Sequence, residues 1–209
     1  MTLVTRILGR VSSVNVRKVL WTLDELGVAY EREDWGLPIK DPKVPEFLAL
    51  NPNGTIPVMV EDDGFTLWES NAIVAYLAQK HGRLMPSDPK KMGVSLQWLS
   101  WQGTELSTTW SYAVFGLARK MPAFSDSAKI AESIARWTAK MEIVEEHLQS
   151  CEQFISGDTF SVADIAITLS LHRWFNTPFD HTPMPAAEAY YNRLRQRPAG
   201  AGWMPEDIA

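Results

Sequence analysis

The sequence predicts an α/β unit with a mixed four-stranded sheet, followed by an all-α helical bundle. Three observations carry this. Strand-like and helix-like segments alternate over residues 5–80, proline and glycine crowd Gly82-Arg83-Leu84-Met85-Pro86-Ser87-Asp88-Pro89, and beyond that point the strand signal disappears. Alternating elements call for a sheet covered by helices, and a run of helices alone calls for a bundle.

The elements follow in order. Arg6-Ile7-Leu8-Gly9 reads as a short strand closed by glycine. From Asn15 to Leu26, Val16, Val19, Leu20, Leu23 and Leu26 recur at spacings of three and four, one face of a helix, and Gly27 stands where a C-capping glycine belongs. Val28 to Glu33 alternates apolar and charged residues as a second strand, so the first two strands pair in parallel through a right-handed crossover. Gly36 to Pro45 is a loop, and Glu46-Phe47-Leu48 a short helical piece. Val58-Met59-Val60, the acidic turn Glu61-Asp62-Asp63-Gly64 and Thr66-Leu67 form a strand pair, with a helix from Ser70 to about Lys80.

In the second half, Pro89 to Arg119 reads as one long helical stretch and Ser127 to Gln149 as another. Ser161 and Asp164 have the spacing of an acidic capping box, with Phe160 and Ile165 placed for a hydrophobic staple. The helix they open, through about Arg173, is apolar nearly all round and belongs at the centre of the bundle. A last helix runs from Ala186 to Arg195. The domain reading is 1–81, a linker at 82–88, and 89–209.

Composition narrows the function classes. The chain has 209 residues, 45% hydrophobic and 22% charged, which is ordinary for a globular protein that buries a sizeable core. A net charge of −5 leaves no electrostatic footprint for nucleic acid or an anionic membrane. No apolar run approaches the ~20 residues that span a bilayer. The single cysteine, Cys151, excludes an intrachain disulfide and fits a reducing cytoplasm. His147 and His172 read as helix-surface or core residues, and no cluster has metal-ligand spacing.

Three stretches carry chemistry. Pro57 opens a strand, a position that leaves Ile56 extended with its backbone N–H and C=O free to pair with a peptide-like ligand. Ser12, Ser13 and Asn15 stand between the first strand and the first helix, as plain N-caps or as donors to an anion at a helix N-terminus. A thiolate suits such a place. A free thiol titrates near ~8.5, and lowering it by roughly two units takes only about 2.7 kcal/mol. Glu69 and Ser70 pair an acceptor with a donor at a helix start, as the two charges of an α-amino-acid end require. A cleft between an α/β and a helical unit is a common place for ligands. Val11 with Trp110, Tyr112, Phe115 and Arg119 would then give an aromatic second-substrate wall with one cation, although each is equally a bundle-core or dimer-contact residue.

Four motifs occur in order: Ser-Ser-Val-Asn-Val-Arg-Lys-Val-Leu at 12–20, Asn-Pro-Asn-Gly-Thr-Ile-Pro-Val at 51–58, Glu-Ser-Asn-Ala-Ile-Val-Ala-Tyr-Leu at 69–77 and Gly-Asp-Thr-Phe-Ser-Val-Ala-Asp-Ile-Ala at 157–166. Together they resemble the cytosolic glutathione transferases over nearly the whole chain. The resemblance implies a thioredoxin-like first domain, a homodimer, and glutathione as cosubstrate. It also implies a cis Pro57, Ile56 pairing with the cysteinyl part of glutathione, and Glu69 and Ser70 holding its γ-glutamyl end. Ser161 and Asp164 match a capping motif that serves folding. No tyrosine or cysteine lies in the first turn, so the resemblance is to a serine/asparagine-type site with Ser13 and Asn15 as thiolate donors and Ser12 as the alternative. The implied activity is transfer of glutathione to a small electrophile. Disulfide or peroxide reduction is the alternative reading, and a non-catalytic interaction module the next.

Overall fold

The computed structural model describes residues 4–151 and 153–205. The chain divides between Met85 and Pro86, inside the 82–88 segment, and each unit is taken by itself.

The first unit is a four-stranded mixed sheet of order β2-β1-β3-β4, from β1 (Thr5–Leu8), β2 (Tyr30–Glu33), β3 (Val58–Val60) and β4 (Thr66–Trp68). β1 runs parallel to β2 and antiparallel to β3, which is antiparallel to β4. The connections are α1 (Val14–Leu26), α2 (Pro45–Leu48) and α3 (Ser70–His81), with α1 packed on α3. Gly27 ends α1 at φ 70°, the left-handed conformation that favours glycine at this position. Side-chain alternation divides the strands: Leu8, Val58 and Val60 pack with Trp35 and Phe47 on one face, and Ile7 and Met59, fully buried, point to the other. At the far end of β3, buried Glu61 accepts from Lys80 Nζ at 2.6 Å and from the Tyr76 hydroxyl at 3.0 Å, which anchors α3 to the sheet. Its hydrogen bond to Glu61 holds the Lys80 ammonium above its ordinary value.

The second unit is helical: α4 (Pro89–Trp101), α5 (Ser111–Ala113), α6 (Ser127–Ser150), α7 (Val162–Phe175) and α8 (Pro185–Leu194). α7 is buried from Val162 to Trp174, as its apolar circumference requires. Trp137 of α6 is fully buried, with Trp174 at 5.0 Å, Trp110 at 5.6 Å and Phe179 at 5.9 Å between ring centroids. Ser161 and Asp164 form the capping box at the start of α7, and Phe160 lies edge-on to Phe154.

One expectation is corrected. Pro89 to Arg119 is not one helix: α4 passes into a π-helical turn at Gln102–Leu106, and α5 into a second at Val114–Ala118. The hydroxyls of Thr104, Ser107, Thr108 and Thr109 donate to carbonyls three or four residues back, which competes with regular helix bonding just where the register changes. Among the described residues no helix is long and apolar enough to cross a membrane.

Candidate functional site

Strand register brings three turns to one edge of the sheet. Glu33, Leu8, Val58 and Trp68 lie in one row across β2, β1, β3 and β4. The chain leaves Leu8 into Gly9–Ser13, enters Val58 from Ile56-Pro57, and leaves Trp68 into Glu69-Ser70. All three candidate stretches of the first unit therefore emerge together.

At the first turn, a Cβ on Gly9 would lie 2.4 Å from Val16 Cγ2 and 3.5 Å from Ile56 Cβ. Glycine is what lets α1 approach β1 so closely. Gly9→Ala is expected to lower the unfolding free energy by about 1–3 kcal/mol through overpacking. Urea denaturation of the two proteins measures it, and an unchanged midpoint would refute the close-approach argument.

Ser13 is the N-cap of α1 with extended backbone, and its hydroxyl makes no capping hydrogen bond. A serine at this position ordinarily uses its oxygen on an N2 or N3 amide. Here the Ser13 N–H donates to Arg10 C=O at 3.1 Å, and the hydroxyl remains for another acceptor. Asn15 is exposed in the first turn of α1, and Val11 is exposed at the tip of the loop. Ser12 is half-buried and accepts from Arg10 Nη1.

At the second turn the Ile56-Pro57 bond is cis. Among the described residues the Ile56 N–H and C=O enter neither the ladder nor any other hydrogen bond. The approach to Ile56 is held by Asn51, which is buried. Its Nδ2 donates to Thr55 C=O at 2.8 Å and its Oδ1 accepts from the Asn53 N–H at 3.0 Å. Lys43 Nζ adds a bond to Asn53 C=O at 2.6 Å.

At the third turn Glu69, not Ser70, is the N-cap of α3, and its side chain makes no cap bond. Glu69 has φ 69° and ψ 106°, outside the allowed regions for an L-residue with a Cβ. Ser70 is buried at the first helical position, and Lys18 Nζ reaches from α1 to Asn71 Oδ1 at 2.6 Å. Both helices that open on this edge thus lack side-chain caps. Side-chain caps are present on α4, α6 and α7, from Asp88, Asp126 and Ser161, and absent also from α2, α5 and α8. Two helix N-termini with their first N–H groups uncapped make a receptor for anionic groups.

In the helical unit, Trp110 is 3% exposed, edge-on to Trp137 and 5.4 Å from the Arg173 guanidinium, so it belongs to the core. Tyr112 and Phe115 each meet Phe124 edge-on, at 5.2 and 4.9 Å, and the Arg119 guanidinium lies 5.2 Å above Phe115. Tyr112 and Phe124 line a cleft of about 330 Å³ with Lys129 and Arg136. Sequence reasoning missed Phe124, whose part depends on the turn of 3-10 helix at Pro122–Phe124. His172 is buried against the Tyr191 hydroxyl at 2.9 Å, and His147 Nε2 lies 2.8 Å from Ile155 C=O. Among the described residues no group of three or more His, Cys, Asp or Glu side chains is placed to hold a metal ion.

Residues 12–80 match the family described as "Glutathione S-transferase, N-terminal domain". The chain is 38% identical over 194 residues to glutathione S-transferase GstB of Escherichia coli K12, covering 91% of this chain and 93% of that one. It superposes with a TM-score of 0.91 on the theta class glutathione S-transferase of Xanthomonas axonopodis pv. citri with glutathione bound, at 32% identity over 97% of this chain and 98% of that one. The glutathione transferase URE2P6 of Phanerochaete chrysosporium, in complex with oxidized glutathione, gives a TM-score of 0.87 at 25% identity, covering 99% and 97%.

Proposed function

The chain belongs to the glutathione S-transferase family and is an enzyme of that class, and we propose that it binds glutathione across the three turns at the sheet edge, ionises its thiol and transfers it to a small electrophile. The observation that carries this is the shared edge: an unpaired Ile56 backbone flanked by two uncapped helix N-termini.

The Ile56 N–H and C=O pair with the cysteinyl residue, as one more strand would. Ser70 and the first N–H groups of α3 take the γ-glutamyl carboxylate, and Glu69 takes its ammonium. The thiol then lies at the start of α1, where Ser13 and Asn15 donate to the sulfur, with Ser12 as the alternative. The thiol proton passes to solvent. The thiolate forms a carbon–sulfur bond, and the leaving group departs with its electron pair or, in an addition, the product carbon takes a proton. Ionising the thiol and holding it beside the electrophile supply most of the rate. Within the second unit Tyr112, Phe115 and Arg119, now with Phe124, form the electrophile wall, which suits flat, electron-poor or acidic compounds. Trp110 supports it from the core. No step needs a metal. The reading includes the homodimer usual in the family and a cytoplasmic location, which the single cysteine supports.

A second reading, glutathione-dependent reduction of disulfides or peroxides, uses the same thiolate. It is favoured if Asn15 rather than Ser13 is the dominant thiolate donor, and oxidized glutathione is held in the Phanerochaete relative. A panel of electrophile, peroxide and disulfide substrates separates the two.

The test of the site is the thiolate absorbance of bound glutathione as a function of pH. Retention on immobilised glutathione is expected, with the bound thiol ionising below its free value. Ser13→Ala should raise that apparent pKa by about one unit, and Asn15→Ala by less. If neither variant moves it, these residues are not the thiolate donors.

A further inference from the structure

The β1–α1 turn holds a charge that the proposed site has not used. Arg10 is fixed at its backbone: its N–H donates to Trp35 C=O at 2.9 Å and its C=O accepts from the Ser13 N–H. Its side chain folds back over the next loop. A Cβ built on Gly36 would lie 3.3 Å from Arg10 Nε, 3.4 Å from its Cδ and 2.7 Å from Ile56 Cδ1. Arg10 therefore shares one contact point with Ile56, and its Nη1 donates to Ser12 Oγ. Its Nε is buried without a hydrogen-bond partner.

The cations Arg6, Arg32 and Lys40, on β1, β2 and the loop after β2, each have a partner. Arg32 donates to Gly9 C=O and is paired with Asp34. Arg6 is paired with Glu33, which also accepts from Trp35 Nε1. Lys40 Nζ lies 3.4 Å from the Trp35 ring centroid. Among the described residues no carboxylate pairs with Arg10. Burial alone holds its guanidinium below the ordinary arginine value, with no neighbouring anion to offset it. A half-buried guanidinium lacking an anion, with one N–H unsatisfied, is a costly arrangement in a free protein and a ready one for an anionic ligand.

We propose that Arg10 is the cationic partner of the glutathione thiolate, contacting the sulfur from the Ile56 side while its bond to Ser12 fixes the guanidinium in place. This rests on the glutathione-binding reading above. A cation beside a thiol favours its ionised form, and Ser13 and Asn15 alone would add only neutral donors. Arginine suits the role because it stays charged when partly buried and presents several donors in one plane.

The test uses the full chain with glutathione and with S-methylglutathione, which has both carboxylates but no ionisable thiol. Arg10→Gln is expected to raise the apparent pKa of the bound thiol by about one unit, which lowers the thiolate fraction below that pKa about tenfold. Arg10→Lys should fall between it and wild type. S-methylglutathione should bind wild type and both variants equally. An unchanged thiol pKa in Arg10→Gln overturns the proposal, and so does an equal loss of affinity for both ligands, which would make Arg10 a carboxylate site. If Arg10→Gln fails to fold, Arg10→Lys decides: a thiol pKa equal to wild type together with weakened S-methylglutathione binding overturns it. Failure of wild type to bind glutathione would instead remove the reading on which this one rests.

Discussion

Replacing Asp164 by alanine is expected to lower the unfolding free energy by about 3–5 kcal/mol, because it leaves several buried donors without an acceptor. Asp164 is fully buried at the third position of α7. Its carboxylate accepts from the Ser161 N–H at 2.7 Å, the Ser161 hydroxyl at 2.9 Å, the Ile155 N–H at 2.8 Å and the Tyr190 hydroxyl. Burial holds this carboxyl above its ordinary value, and the four hydrogen bonds offset only part of that rise. Burial and the nearby Asp164 keep the Tyr190 phenol protonated, so it serves as a donor. One side chain thus ties together the loop before α7, the first turn of α7, and α8. Each donor orphaned in the interior costs about 1–3 kcal/mol, less whatever the loop relaxes. Ser161→Ala removes the cap and the hydroxyl's bonds to Asp164 and Ser156, keeps the carboxylate's other acceptor roles, and should cost about 1 kcal/mol. Urea denaturation with an unchanged m-value gives both numbers. A loss for Asp164→Ala no larger than for Ser161→Ala would show that the network beyond the capping box adds nothing.

That capping box was legible in the sequence because its partners lie three residues apart, and the same holds for Gly27 at the end of α1. Local spacing fails where a distant residue decides. The apolar periodicity of Pro89 to Arg119 contains no sign that Ser and Thr hydroxyls would take back-bonds around residues 104–109, at the π-helical turn of Gln102–Leu106. Spacing leaves Trp110 open between a pocket wall with Tyr112 and Phe115 and the bundle core, and Trp137 of α6 and Arg173 of α7, neither near it in sequence, decide for the core. At the sheet edge, Ile56, Glu69 and Ser70 could be named from turn chemistry and motif, but their convergence is a consequence of strand register, which couples residues far apart. From local sequence alone, Arg10 is an arginine in a turn and reads as solvated. Only the return of the chain through Trp35 and Gly36 encloses it. The backbone of Glu69 was unreadable for a different reason, since glutamate is a poor residue for positive φ and local preference argues against what is found.

That strain separates two roles which most substitutions would confound. A residue held outside the allowed backbone regions costs about 1–3 kcal/mol, and glycine relieves it while losing roughly 0.5–1 kcal/mol in chain entropy. Glu69→Gly is therefore expected to raise the unfolding free energy by about 1 kcal/mol. The same change removes the proposed acceptor for the γ-glutamyl ammonium. A hydrogen bond to a charged group contributes about 1.5–3 kcal/mol, so the dissociation constant for glutathione should rise about 10- to 150-fold. Glu69→Ala keeps the strain and loses the acceptor: affinity should fall by a similar factor with no gain in stability. Ser70→Ala, next in the chain and buried, should weaken binding through the carboxylate instead, by a comparable factor. Calorimetric titration with glutathione and urea unfolding of the three variants read the two quantities independently. Unaltered affinity in Glu69→Gly would remove Glu69 from the site, and reduced stability in that variant would mean the φ of 69° carries no strain that glycine can release. A gain in stability with a loss of binding would join the two effects in one place: on the proposed site, α3 begins in a strained conformation that aims Glu69 and the first N–H groups of the helix at the same amino-acid end.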